Sequence, residues 1–393
     1  MKNDKKIFSK KEYISLSQIQ SKKVLIDNIN VKKIIIFIVI IIIIFIFFFL
    51  IRNIKNKNDL IYKKLFLSEK TDKINQIDVE LFNKLKNILK DDEIIENEIM
   101  SIHTTFKIGG PVKYFVKPRS IDQIIEIINL CNKLKVNYII LGNGSNILVS
   151  DDGYHGIIIQ IHENNFSNLE VEKEKDDNYK VKVGGGILMK TLSIEACLLS
   201  LTGLEDIIDI PGTVGGGIIM NASFRKNGLN IALQKVKVIT PEGIVKELTK
   251  EECGLKHRGS MLKDKKYLVI EALFKLKKGD QLIIQKYMTD NTKMRYEKQP
   301  MYFGSAGCFF VWDHSKHGSM YEKYKESNLV SYRVGNAMIY TYNIAFIVNL
   351  GKAKGKDVME IVTHIEKIMK KKYRIEMRRE VVTIGTFNGI DYY

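Results

Sequence analysis

Gly142-Asn143-Gly144-Ser145-Asn146 sets two glycines among small polar residues. Side chains this small let successive backbone N–H groups crowd round an anion with no Cβ in the way, as holding a phosphate requires. The segment lacks the third glycine of G-x-G-x-x-G, because Ile147 follows Asn146, so a Rossmann dinucleotide site is a poor fit. Taken alone, it reads first as a plain turn. Two further clusters change that reading: Val183-Gly184-Gly185-Gly186 and Ile210-Pro211-Gly212-Thr213-Val214-Gly215-Gly216-Gly217. Pro211 fixes a rigid entry, and the small residues after it allow close approach of backbone to a flat or charged ligand. Three such loops predict a large, elongated, phosphate-bearing cofactor lying across several loop ends.

Other candidate chemistry is weaker. His314 and His317 form an H-x-x-H pair with no third ligand nearby, so they read as a solvated loop and no metal is expected. Cys131, Cys197, Cys253 and Cys308 are scattered without a C-x-x-C element, the pattern of reduced thiols in a cytosolic compartment.

The elements that must position these loops alternate in type, which predicts an α+β protein. Val112 to Val116 reads as a strand, Ile121 to Leu134 as an amphipathic helix, and Tyr138 to Leu141 as a strand feeding directly into Gly142. Ile77, Leu81, Leu85, Ile88 and Leu89 recur at helical spacing and predict a core-packing helix that opens the folded region. At 393 residues the chain exceeds a single core, so two or three domains are expected.

The net charge of +17 is uneven, because residues 1–75 hold sixteen Lys or Arg against six Asp or Glu. Basicity therefore belongs mainly to the N-terminal region. Beyond it there is no zinc-finger spacing, RNP-like motif or basic helix, so nucleic acid is not an expected partner. Ile34 to Ile51 is an uninterrupted apolar run, which as a helix spans roughly 27 Å against a bilayer core of about 30 Å. No small-residue cleavage site follows it, which predicts a retained single transmembrane helix rather than a removed signal. The flanking lysines tilt the C-terminal part toward the cytoplasm. The expected order is a basic tail over 1–33, the span over 34–51 and a polar linker over 52–76.

His103-Thr104-Thr105-Phe106-Lys107-Ile108-Gly109-Gly110, Leu141 to Asn146, Gly203-Leu204-Glu205, Ile210 to Gly216 and Met220-Asn221-Ala222 follow one another in the order of the MurB family, the UDP-N-acetylenolpyruvoylglucosamine reductases. The resemblance covers roughly residues 80 to 386. It implies an FAD-binding domain of the vanillyl-alcohol-oxidase (PCMH) type in two lobes, 77–161 and 162–285. A C-terminal α+β substrate domain over 286–386 and a short tail over 387–393 would follow. It also implies NADPH as reductant, a UDP-sugar substrate and a role in peptidoglycan precursor synthesis. Gly142, Asn143, Gly144, Ser145 and Asn146, with Pro211, Gly212, Thr213, Val214, Gly215, Gly216 and Asn221, would then hold FAD.

Reducing an enolpyruvyl double bond needs hydride at one carbon and a proton at its neighbour, with negative charge growing on the attached carboxylate. Three segments resemble the family's catalytic positions. Lys256-His257-Arg258-Gly259-Ser260 resembles Tyr-Arg-x-Ser and would supply Arg258 as a carboxylate clamp; an isolated arginine is ordinarily a solvated surface residue. Arg295-Tyr296-Glu297-Lys298-Gln299-Pro300, then Gly304 to Phe310, resembles R-x-x-x-Q-P and S-A-G-S-x-F, with Cys308 where the proton-donating serine is common. A lone cysteine is ordinarily a small buried hydrophobe. Met377-Arg378-Arg379-Glu380-Val381 resembles E-P-E-V and offers Glu380 as the acid; the bland alternative is an exposed glutamate paired with Arg378 or Arg379. The spacing resembles the shorter subtype. Val311-Trp312-Asp313 replaces the usual Lys-Asn-Pro, so a lysine and an asparagine expected near the substrate are missing. Two other readings stay open: a related flavin oxidoreductase with another substrate, and a flavin-binding membrane scaffold without catalysis.

Overall fold

The computed structural model describes residues 76–224 and 227–393, with Phe49 and Arg52. The chain divides into two units, Met1–Asp78 and Val79–Tyr393, and only the second is described over nearly its whole length. Among the described residues no helix is long and apolar enough to cross a membrane. The tail, the apolar run and the linker lie outside those residues, apart from Phe49, Arg52 and the linker's last residue.

The second unit opens in a helix through residue 88, whose Leu81 and Leu85, with Leu89 just beyond, are buried against Ile124, Ile127 and Ile128. Those isoleucines lie on one face of the helix Ile121–Leu134, as the periodicity predicts. Ser120 starts this helix by accepting from Gln123 N at 3.2 Å, and Lys135 ends it in the left-handed conformation. The helix connects the strands Pro111–Val116 and Tyr138–Leu141. Both lie parallel to Tyr154–Gln160, which runs between them, while Ile94–Ile99 adds antiparallel at the edge. Ile157, Ile158 and Ile159 are all fully buried because this central strand is covered on both faces.

The second sheet is antiparallel, in the order Val245–Thr249, Leu233–Ile239, Leu268–Lys278, Asn178–Gly184, Leu169–Lys173. Val236 and Val238 point into its core and Lys235 and Lys237 away from it, the alternation of a sheet with one covered face. The C-terminal region packs the helix Gly355–Ile368 on the meander Arg333–Val334, Ala337–Ile339, Ile347–Asn349.

One later strand of this region does not stay there. Val382–Phe387 pairs in parallel with Ile147–Val149, immediately after the first glycine loop, and buries Ile384 among Met100, Val112 and Val149 of the first sheet's core. The H-x-x-H pair also departs from its expected loop. His314–His317 is one helical turn, because the Asp313 carboxylate accepts from Ser315 N and Lys316 N at 2.9 and 3.2 Å.

Candidate active site

Arg258 sits in the tight turn Lys256–Gly259, closed by reciprocal backbone bonds of 2.9 and 3.2 Å. Its φ of 55° costs a non-glycine residue on the order of 1–3 kcal/mol, so the surroundings must hold it. Asn221 Nδ2 donates to Lys256 O at 3.0 Å, Arg378 Nη2 to His257 O at 3.3 Å, and the buried Ser260 hydroxyl to Ile219 O at 2.7 Å. The guanidinium donates from Nη1 to Ser223 O at 3.4 Å, and its Nε lies 3.4 Å from Glu380 Oε1.

Glu380 and Cys308 arrive together through backbone pairing. Phe310 pairs with Arg379 across two short strands, and Glu380 N donates to Phe309 O at 2.9 Å. Burial holds the Glu380 carboxyl above the ordinary carboxylate range, against the opposing pull of Arg258, Lys263 and Arg378. Burial, reinforced by Glu380, pushes the Cys308 thiol up to about 11, with Arg258 and Arg295 pulling the other way. Arg258, Cys308 and Glu380 all line one cavity of about 320 Å³. Of the two surface partners weighed for Glu380, Arg379 donates instead to both Glu366 oxygens at 2.7 and 2.9 Å, and Arg378 donates to His257 O while still acting on the carboxyl through its charge. Only 14% of the Glu380 side chain is exposed.

The glycine loops divide by where their N–H groups go. Those of Gly142, Asn143, Gly144, Ser145 and Asn146 donate to no acceptor among the described residues. Five such donors in succession fit a phosphate. Gly144 has a φ of +61°, and a Cβ there would lie 2.0 Å from His103 O. In Pro211–Gly216 the N–H groups of Gly212, Val214, Gly215 and Gly216 are satisfied internally, leaving Thr213 N–H. The loop still lies beside the first, because Asn143 Nδ2 donates to Pro211 O at 2.9 Å. The third cluster corrects the sequence reading. Gly184, Gly185 and Gly186 donate to Asn168 O, Ile270 O and Phe166 O, so these glycines serve close packing, with a Cβ at Gly185 falling 2.3 Å from Val269 O. Asn221 holds the Arg258 turn through its amide, a positioning contact that sequence reasoning missed.

Sequence reasoning also left out Asn146 as a link: its Nδ2 donates to Glu380 O at 3.2 Å, joining the first loop to the acid. Arg295 is buried, with Nε unpartnered and its guanidinium 5.0 Å from the Phe224 ring centre. The R-x-x-x-Q-P run was its available signal. Trp312, His314 and Tyr321 line the same cavity as the catalytic candidates, and only their departure from the family pattern marked the segment.

A profile of the FAD binding domain matches residues 112–249, and one of the UDP-N-acetylenolpyruvoylglucosamine reductase C-terminal domain matches residues 299–384. The UDP-N-acetylenolpyruvoylglucosamine reductase of Clostridium novyi (strain NT) is 34% identical, covering 78% of this chain and 97% of the relative. That of Clostridium botulinum (strain Eklund 17B / Type B) is 34% identical over 76% of this chain and 95% of its own length. The solved reductase (MurB) from Thermus caldophilus aligns with a TM-score of 0.60 at 29% identity, over 74% of this chain and 98% of that one. A chain that shares sequence over nearly the whole of these relatives, and the fold with the solved one, belongs to the UDP-N-acetylenolpyruvoylglucosamine reductase family.

Proposed function

We propose that this protein reduces UDP-N-acetylglucosamine enolpyruvate to UDP-N-acetylmuramate with NADPH, through FAD, in peptidoglycan precursor synthesis. The observation that carries the reading is the meeting of a guanidinium, a thiol and a carboxyl from three distant segments in one cavity. Gly142 to Asn146 would hold the FAD pyrophosphate through unpartnered N–H groups, with Thr213 N–H and the packed Pro211–Gly216 loop beside them. A flavin held there would supply the hydride, drawn from NADPH, that the enolpyruvyl double bond needs.

The chain's own residues do the rest. Arg258 binds the substrate carboxylate with a planar fork that stays charged throughout. Glu380, kept protonated to higher pH than an ordinary carboxyl, hydrogen-bonds the oxygen on which charge develops. Cys308 retains its proton at neutral pH because its thiol titrates near 11, and a carbanion-like carbon is basic enough to take it.

In domain terms, 77–161 and 162–285 serve as the two flavin lobes and 286–386 as the substrate region. The apolar run Ile34–Ile51 would tether the enzyme to the inner face of the cell membrane. NADPH oxidation by the flavin-loaded full chain should rise sharply on adding the enolpyruvyl UDP-sugar, with UDP-N-acetylmuramate as product. Oxidation that ignores this substrate would refute the assignment. For the tether, alkaline carbonate should leave the full chain in the membrane pellet, and release to the supernatant contradicts a span.

A further inference from the structure

The cavity that holds Arg258, Cys308 and Glu380 extends past Phe310 to Trp312 and Tyr321. Trp312 is the only tryptophan of the chain. Its indole N–H is already used, donating to Gly318 O at 2.9 Å. The ring also lies 5.4 Å from His317 and packs against the C-terminal core. With its polar edge consumed inside the protein and its position fixed, the indole has only an apolar ring surface left to offer a ligand in the cavity. Beside it, Tyr321 is 47% exposed on the helix Met320–Lys325.

Building on the proposed reaction, we infer that Trp312 is a specificity-determining residue that stacks on the uracil of the nucleotide-sugar. The reacting carbons must lie at Cys308 and Arg258, and the hexose is joined to them directly through the ether oxygen. Trp312 lines the cavity from the segment it shares with Gly318 and Tyr321, whereas Arg258 and Glu380 meet each other and Cys308 comes in through the Phe310–Arg379 pairing, so the indole is set against a part of the substrate outside that cluster. Of the parts further out, the diphosphate gains nothing from an apolar ring, whereas the base presents a flat π-face. A rigid ring pays little conformational entropy for such a contact.

The single tryptophan makes the test direct. Titrating the flavin-loaded full chain with UDP should quench tryptophan fluorescence saturably, while N-acetylglucosamine 1-phosphate should not. In steady state, Trp312→Ala should raise KM for the UDP-sugar roughly 10- to 100-fold, the range that base–aromatic stacking supplies. Its kcat and flavin content should stay near the parent values, and Trp312→Phe should restore most of the KM. A Trp312→Ala variant that holds flavin and keeps the parent KM overturns the inference. So does fluorescence that answers the sugar phosphate and ignores UDP, a measurement on the unaltered protein that stands even where a variant fails to fold. UDP quenching needs no turnover, so a failed reductase assay with quenching intact strikes the proposed reaction and leaves the base contact standing.

Discussion

Arg258 Nε lies 3.4 Å from Glu380 Oε1, joining the tip of the turn Lys256–Gly259 to the C-terminal segment Met377–Val381. The turn is fixed from three sides, so the fork meets the carboxyl in one orientation. Arg258→Lys keeps the charge and loses that planar fork. We expect kcat/KM to fall on the order of 100-fold, with flavin content unchanged, measured by NADPH oxidation against substrate concentration.

Asn221→Ala removes the amide that holds Lys256 O and touches neither the thiol nor the acid. Loss of one such bond is worth about 1 kcal/mol, so kcat should fall by roughly fivefold while FAD affinity barely changes. A variant that loses flavin instead would support the cofactor-holding role that the family resemblance implies for Asn221.

Cys308 should behave as a proton carrier rather than a nucleophile. With its thiol held near 11, little thiolate exists at neutral pH, so iodoacetamide should inactivate slowly and faster as pH climbs toward 11. Cys308→Ser, which keeps a hydroxyl donor, should retain substantial turnover, whereas Cys308→Ala should lose about 10²- to 10⁴-fold in kcat.

Glu380 gives a stability prediction with a definite sign. Burial raises its folded pKa above the unfolded value, so the folded state binds more protons between those two values. Its contribution is fully present below the ordinary carboxylate pKa of about 4.3 and is lost as pH rises through the raised folded value. Glu380→Gln lacks this loss. Thermal melts should show the variant gaining on the parent as pH rises from about 4 toward neutrality, while kcat drops by about 10²-fold or more.

Gly144→Ala should fail at the flavin step. A Cβ at φ +61°, 2.0 Å from His103 O, cannot be accommodated without moving the loop proposed to hold the pyrophosphate. Absorbance of the purified protein should show little bound flavin; full occupancy would contradict the cradle.

Local pattern made part of this legible before any coordinates. The helix Ile121–Leu134 and the strand Tyr138–Leu141 follow from local residue pattern, because both depend on near neighbours in sequence. The meeting of Arg258, Cys308 and Glu380 was visible only as a family likeness, since no local rule brings together segments so far apart. What glycines do was least legible. Gly144 and Gly185 look alike in sequence, yet one sits in a loop with free donors and the other is pressed against Val269 O, and only tertiary pairing separates them. The return of Val382–Phe387 to Ile147–Val149 was hidden for the same reason, because strand partners across the chain leave no mark on spacing.

The most direct test separates the half-reactions. NADPH-reduced, flavin-loaded protein is mixed without oxygen with UDP-N-acetylglucosamine enolpyruvate while the flavin absorbance is followed. The oxidised band should return rapidly with one UDP-N-acetylmuramate formed per flavin, far more slowly in Cys308→Ala, and again quickly in Cys308→Ser. Flavin that stays reduced, or that reoxidises equally fast without the thiol, would contradict the account.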